Sequence, residues 1–464
     1  MSLKGKLKYL ILDESDRLLD MGLGSQVEQI VQHVRANQPG SGSNGVTWRS
    51  LLVSATVSQK EQALAKSLLG CSDEWDWARG GCDQKVQDTS DLFDSTPRQL
   101  SQLHMTVTAK LRLASLVAFL AQRVNKAERV VVFMATCDGV DYHHALFSAM
   151  ECILPSKNED TQMSIFGSSC PIHKLHGNIP HAERQTVLSK FNSGSSAILL
   201  ATDVAARGLN LLRVDWTIQY DPPCEVADYA HRAGRAARAG QAGHSLIFLL
   251  PTERQFLEVL ELKGLKQMKA LSLANTLSRA AEICAELSDE SKTGHRNKGE
   301  AFALEIQHRF ENLVVQDDAS VKAHYPAPPR KKGQPRPPEP CGKLLELARR
   351  AFFSYIKSYP TKEKIVRHIF SSRALHVGHI ARSFALKEPP KSSINKVISG
   401  QKEEIDSNRK RMLIFDKNDH ESEQRKRQGV QHHAKPGAIL DTAKARMMLM
   451  ERAKQLQQGG MESL

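Results

Sequence analysis

The sequence predicts an α/β protein built on parallel sheet, and two observations carry that expectation. Short apolar runs recur along the chain, among them LKYLIL, RSLLVSAT, RVVVFMAT, SAILLATDVAA, VDWTIQYD and GHSLIFLLP, several of them ending in small polar or acidic residues. Segments with helical spacing separate these runs, and strands that alternate with helices assemble into parallel sheets.

In chain order, LKYLIL is a strand that stops at Asp13, where Glu14 and Asp16 follow at once. DRLLDMGLGSQVEQIVQHV has helical spacing, PGSGSNG is a flexible loop, and RSLLVSAT is the next strand. A polar stretch over 71–98 reads as a linker. LRLASLVAFLAQRV then reads as an amphipathic helix, RVVVFMAT as a buried strand, and DYHHALFSAM and ERQTVLSKF as helices. SAILLATDVAA and VDWTIQYD are strands, VADYAHRAGRAARAG a basic helix, and GHSLIFLLP the last strand of a doubly wound domain over 98–255. Residues 256–341 read as a helical segment followed by the proline-rich linker YPAPPRKKGQPRPPEP, and 342–390 as a helical module. The stretch 391–464, with RKR at 409–411 and 425–427, is polar and poor in aromatic residues, and is expected to be mostly disordered.

The 464 residues carry a formal net charge of +13, which favours a polyanionic partner. The 8 cysteines form no CxxC pair, so neither a zinc ribbon nor a disulfide framework is indicated. No apolar run approaches the length of a membrane span, and no membrane partner is expected.

Five stretches carry candidate chemistry. In open parallel sheets, ligands bind beyond the carboxyl ends of the strands, where Asp13 stands. A carboxylate there suits Mg²⁺, a hard cation that arrives with nucleotide phosphates, and Glu14 beside it can orient an attacking water. A solvated turn is the alternative reading. SAT, Ser54 to Thr56, ends the next strand with hydroxyls able to reach Asp16, and an ST-turn is its alternative. In HRAGRAARAG, His231, Arg235 and Arg238 share one face at i, i+4 and i+7, with Gly234 and alanines leaving that face bare for phosphate oxygens; a solvated basic face is the alternative reading. LHGNIPHAER and ATDVAARGLN each follow a strand and offer backbone N–H groups, hydroxyls and arginines suited to a phosphodiester backbone.

Together, and in this order, DESD, SAT, VVFMAT, LHGNIPHAER, ATDVAARGLN and HRAGRAARAG resemble superfamily-two RNA helicases of the DEAD-box family, over residues 1 to about 255. AFFSYIKSYP and IFSSRALHVGHIARSFALKEPP look like the C-terminal extension of the nucleolar, ribosome-assembly branch that contains DEAD-box helicase 31. The resemblance implies a partial RecA-like lobe over 1–85 and a complete one over 98–255. It implies ATP and Mg²⁺ as cofactors, with Asp13 holding Mg²⁺ through water and Glu14 placing the hydrolytic water. Asp16 would couple to Ser54, Thr56 and His231, and Arg235 and Arg238 would act as arginine fingers. Gly177, Arg184 and Thr202 would contact RNA, and Arg207 would latch the closed lobes. Asn210 stands where the family has an acid on the nucleotide ribose. His181 replaces a glutamine, Ser15 an alanine, and Ala233 and Ala236 an isoleucine and a threonine, which predicts a looser arginine-finger helix.

No GxxxxGK[ST] loop occurs in the sequence. The chain is therefore expected to start partway through the first lobe and to show no ATPase alone. The resemblance implies single-stranded or structured RNA, rRNA precursors above all, and pre-ribosomal proteins as partners, a monomer, and a nuclear, nucleolar location. The alternative is a non-enzymatic RNA-binding or scaffold protein that keeps the second lobe and the basic tail.

Overall fold

The computed structural model describes residues 8–20, 23–36, 49–54, 62–66, 99–150, 170–203, 211–237, 242–265, 267–284, 297–324 and 341–390. The expectations for the polar stretch 71–98, the proline-rich linker and the tail lie outside these residues.

The first sheet pairs β1 (Tyr9–Leu12) with β2 (Arg49–Leu52) in parallel, with Tyr9 opposite Arg49 and Leu12 opposite Leu52. Three helices accompany it: α1 (Ser15–Asp20), α2 (Gly24–Ala36) and α3 (62–66). Val27, Val31 and Leu64 pack on one sheet face with Leu10, Leu12 and Leu52. The period of two sends the intervening residues to the other face. There Tyr9, Ile11, Leu51 and Val53 are 62%, 59%, 54% and 43% exposed.

The second sheet is seven-stranded, in the order β5-β6-β4-β7-β8-β3-β9, and every pairing is parallel. Its strands are β3 (Leu100–Thr106), β4 (Arg129–Phe133), β5 (Ile172–Leu175), β6 (Ala197–Ala201), β7 (Trp216–Gln219), β8 (Gly243–Leu249) and β9 (Lys269–Ala270). The continuous apolar character of VVVF and AILLA has a direct cause. Val130, Val132, Ile198 and Leu200 enter one core, while Val131, Phe133, Leu199 and Ala201 enter another on the opposite face.

The helices of this body are α4 (Arg112–Val124), α5 (Cys137–Met150), α6 (His181–Ser193), α7 (Val226–Ala233), α8 (Gln255–Leu262), α9 (Leu273–Ile283), α10 (Lys298–His324), α11 (Lys343–Ser358) and α12 (Val377–Ser383). The helix expected to be amphipathic, α4, is buried on every side from Arg112 to Arg123. Its outward face is covered by α9 and α10, and the Gln122 amide donates to Thr276 O at 2.8 Å. Leu277 on α9, Phe302, Ile306 and Phe310 on α10, Phe352 and Tyr355 on α11 and Ile380 on α12 all belong to the same core as β4 and β8. The packed body therefore runs on past residue 255.

The junction between α10 and α11 is fixed by acids. Asp318 Oδ1 accepts from Gly342 N–H at 3.1 Å, and Asp317 Oδ2 accepts from Leu344 N–H at 2.7 Å. These bonds satisfy orphan donors at the start of α11. A side chain at position 342 has no room, because a Cβ there would lie 2.3 Å from Asp317 Oδ2.

Candidate nucleotide and RNA interface

In each sheet, parallel pairing brings the carboxyl ends of all strands to one edge, and the motif residues stand there. At the first edge, Asp13 follows β1, is exposed, and accepts Glu14 N–H on Oδ1 at 2.9 Å. Glu14 takes a left-handed backbone with φ 51°. That conformation is uncommon outside glycine, and strain of this kind concentrates at functional sites. The strand ends are laced together, Val53 N–H to Leu12 O at 2.8 Å and Ser15 N–H to Val53 O at 3.1 Å. The backbone thus turns sharply between β1 and α1 and holds the Asp13 carboxylate out to solvent. Ser54 stands at the same end of the sheet, one residue beyond Val53. Ser15, the departure from the family's alanine, is 1% exposed, and its hydroxyl finds no partner among the described residues. Asp16 lies in the first turn of α1; its side chain and Thr56 are outside the described residues.

Among the described residues, no three His, Cys, Asp or Glu side chains gather as a metal cage. One exposed carboxylate at a strand end suits a different ion. It fits Mg²⁺, which keeps several waters and shares phosphate oxygens.

At the edge of the second sheet, β5 ends in His176 and Gly177, β6 in Thr202 and Asp203, and β7 in Tyr220 and Asp221. Helix α7 enters this edge. The sequence predicted a helix through HRAGRAARAG, and the structure corrects it: α7 stops at Ala233. Gly234 N–H still bonds to Ala230 O at 2.8 Å, but Arg235 and Ala236 turn back on i−3 carbonyls, and Ala237 takes φ 59°. Ala233 and Ala236, both 0% exposed, are drawn into the core. The small residues expected to loosen this segment are what allow it to bury so closely. His231 is thus on the helix and Arg235 on the turn after it, half-buried, its Nε donating to His231 O at 3.3 Å. Arg238, Arg207 and Asn210 lie outside the described residues.

Sequence reasoning missed Arg232. Its guanidinium is wholly buried and donates from Nε to Asp203 Oδ1 at 2.6 Å and from the second terminal nitrogen to Asp203 Oδ2 at 3.0 Å. The remaining terminal nitrogen donates to Asp221 O at 2.7 Å. Burial alone would lower its pKa, but the Asp203 carboxylate carries it above the ordinary arginine value. The search for a stripe at i, i+4, i+7 passed over it because it lies off that face. Asp203 in ATD was the available signal, since a strand-end acid in a basic motif calls for a paired arginine.

The three expected RNA contacts differ in setting. Gly177 is exposed, while Thr202 is 9% exposed with its N–H bonded to Leu175 O at 3.1 Å. Arg184 turns inward to its own loop, donating to Ile179 O at 2.7 Å and Gly177 O at 2.6 Å. Below this loop, His176 Nε2 lies 3.2 Å from Asp141 Oδ1, and Lys174 Nζ donates to the same oxygen at 2.5 Å. Burial would raise the Asp141 pKa, but Lys174 and His176 hold it below the usual carboxylate value.

Two parallel sheets, the first with an exposed acid at its strand end and the second with strand-end acids paired to buried arginines, define a RecA-like α/β class. The chain aligns with such a structure, Mss116p bound to ssRNA and AMP-PNP, with a TM-score of 0.54 at 20% identity, covering 84% of this chain and 63% of that one. This likeness speaks for the fold. Family comparison is more specific. The DEAD/DEAH box helicase family matches residues 3–64 and the helicase conserved C-terminal domain matches 111–240. The family described as ATP-dependent rRNA helicase SPB4-like, C-terminal extension, matches 342–392. DEAD-box ATP-dependent RNA helicase 17 of Oryza sativa subsp. japonica is 30% identical, covering 83% of this chain and 65% of that protein. ATP-dependent RNA helicase dbp7 of Schizosaccharomyces pombe is 32% identical over 83% of this chain and 52% of that protein. The Dictyostelium discoideum protein named ATP-dependent DNA helicase DDX31 is 27% identical over 85% of this chain and 50% of its own length. The chain carries the matched part of a DEAD/DEAH box helicase domain, a helicase conserved C-terminal domain and an SPB4-like extension. It spans between about half and two thirds of the length of these relatives.

Proposed function

We propose that the chain serves an ATP-dependent RNA helicase that remodels rRNA precursors during large ribosomal subunit assembly. The observation that carries the reading is a single packed body. The helicase C-terminal lobe and an extension of the rRNA-helicase type share one hydrophobic core. In this reading Asp13 holds Mg²⁺ through water, Glu14 places the attacking water, and Asp16 couples to Ser54, Thr56 and His231. A bound Mg²⁺ would offset phosphate charge. Arg235 and Arg238 face the transferring phosphoryl group, Arg207 joins the lobes, and Asn210 replaces the family's acidic ribose contact. Gly177 and Thr202 meet the RNA backbone, and Arg184 shapes the loop that does so. Pre-ribosomal proteins as partners, a monomeric state and a nucleolar location follow from the same reading.

The test uses the chain's affinity for single-stranded RNA as salt is varied. Weak binding with little sequence preference is expected, with log K falling by about 0.7 per neutralised phosphate for each decade of salt. Salt-independent binding sinks the proposal, and a preference for single-stranded DNA favours a DNA helicase, the activity in the Dictyostelium relative's name.

A further inference from the structure

The turn between β7 and α7 places the arginine-bearing segment, and its backbone carbonyls are taken from three directions. Tyr220 O accepts from Arg112 on α4 at 2.5 Å. Asp221 O accepts from Arg232 on α7 at 2.7 Å. Pro222 O accepts from Lys362 Nζ at 2.5 Å, and Cys224 O accepts Glu363 N–H at 2.9 Å. The last two donors lie in the segment joining α11 to α12, in the C-terminal extension.

The same segment also serves the helix start. Glu225, the N-cap residue of α7, makes no capping hydrogen bond through its side chain. Instead the Glu363 carboxylate accepts Val226 N–H, on the first residue of α7, at 3.2 Å. A carboxylate at that place satisfies an orphan donor and complements the helix dipole. The clamp is anchored from behind. Lys362 is 3% exposed with its ammonium 5.3 Å from the centre of the Phe370 ring, and Tyr359 O–H donates to the buried Glu253 at 2.7 Å. Burying the Lys362 amine lowers its pKa, and Asp221 and Glu253 oppose that fall.

We infer that Lys362 and Glu363 are positioning residues: the extension reaches across to cap α7 and fix the turn before it, and so sets where His231, Arg232 and Arg235 stand. The extension is then part of the apparatus that aims the arginines rather than an appendage to the lobe. The consequence for phosphoryl transfer rests on the function proposed above, whereas the clamp itself is a statement about α7.

Hydrogen exchange on the full chain tests it. Glu363 is exposed, so Glu363→Ala leaves the core intact. Its expected effect is exchange faster by roughly fivefold over 226–237, as for loss of a helix cap, with β4 and β6 unchanged. Glu363→Gln keeps an acceptor oxygen and should retain most of the protection. Unchanged exchange in Glu363→Ala overturns the inference, as does a rise spread equally over β4 and β6. A Gln variant that exchanges as fast as the Ala variant overturns it too. These readouts need neither nucleotide nor RNA, so their failure is separate from a wild-type chain that ignores RNA, which would strike the proposed function instead.

Discussion

The two sheets present similar chemistry on different foundations. In the first, Asp13 and Glu14 stand on a sheet whose described core is one-sided, and the strand end is held by backbone bonds and a left-handed glutamate. In the second, both faces of β4 and β6 are buried, and the strand-end acids are locked by arginines within the core. The difference separates presenting from aiming. An exposed carboxylate beside a left-handed turn is presented to solvent. Buried ion pairs fix the orientation of neighbouring side chains, because removing either partner strands a charge.

The largest expected effect breaks that second arrangement. Arg232→Ala leaves the partly exposed Asp203 carboxylate and the Asp221 carbonyl without their donor in a site closed to solvent at the arginine. It should cost about 3 kcal/mol in a denaturant titration, near the low end for a broken buried pair because Asp203 is open to water. Glu14→Gln, by contrast, keeps the backbone turn and should stay within about 0.5 kcal/mol, as exposed substitutions usually do. Equal losses in the two variants would remove the distinction between the sheets.

Next comes a pH effect in the second body. His143 on α5 is buried among Tyr142, Phe147, Tyr220 and Phe384. Burial pushes its pKa down to about 4, against the pull of the Gly139 carbonyl at 2.8 Å. The folded state therefore binds this proton less readily than the unfolded one. Its contribution is whole above the ordinary histidine value and is lost as pH falls from there towards about 4. At about 1.4 kcal/mol per pH unit, the loss reaches roughly 3 kcal/mol across the window. The measurement is the difference between wild type and His143→Gln in urea titrations. That difference should shrink or reverse towards pH 4. A pH-independent difference would show that the imidazole is not held neutral.

A smaller effect probes how the extension joins the body. Gly342→Ala puts a Cβ 2.3 Å from Asp317 Oδ2 and 2.6 Å from Asp318 N. The backbone must shift, and the two acids that serve the start of α11 shift with it. A loss of about 2 kcal/mol in thermal or denaturant unfolding is expected, as for overpacking at a tight site.

How much of this was legible follows from the range over which each feature is determined. The strands were legible because VVVF and AILLA are apolar throughout, the mark of a strand whose alternate residues enter two cores. The strand-end positions of Asp13, Thr202 and Asp203 followed from where those runs stop. The end of α7 was not legible: its alanines are compatible with helix, yet the backbone tightens to i−3 bonds at Arg235 and Ala236 and turns left-handed at Ala237. Nor was the burial of all of α4, whose outer face is covered by α9 and α10 from far along the chain. The cap on α7 comes from Glu363, 137 residues away from Val226, and no local pattern announces such a bond. Glu14 was singled out for its carboxylate, while its left-handed backbone is imposed by the lacing of β1 to β2.

The smallest expected effect sharpens the line between presenting and aiming at the RNA edge. The family's pattern makes Arg184 a phosphate contact, but here its guanidinium donates to the carbonyls of Gly177 and Ile179. Two roles then predict different things. A direct phosphate contact contributes to counterion release, so Arg184→Ala would reduce the salt slope by about 0.7 along with affinity. A loop-shaping arginine loses affinity without changing that slope, because Gly177 and its neighbours are displaced while the phosphates neutralised by others stay the same in number. The observed bonds favour the second outcome. Losing two hydrogen bonds at a half-buried site should cost about 1 kcal/mol of stability and roughly fivefold in RNA affinity. Arg184→Lys separates the roles further: a lysine restores a positive charge for phosphate but cannot span two carbonyls as the guanidinium fork does. Full rescue by lysine, with the salt slope restored alongside, would return Arg184 to the phosphate; affinity that stays low while the slope never moved keeps it with the loop.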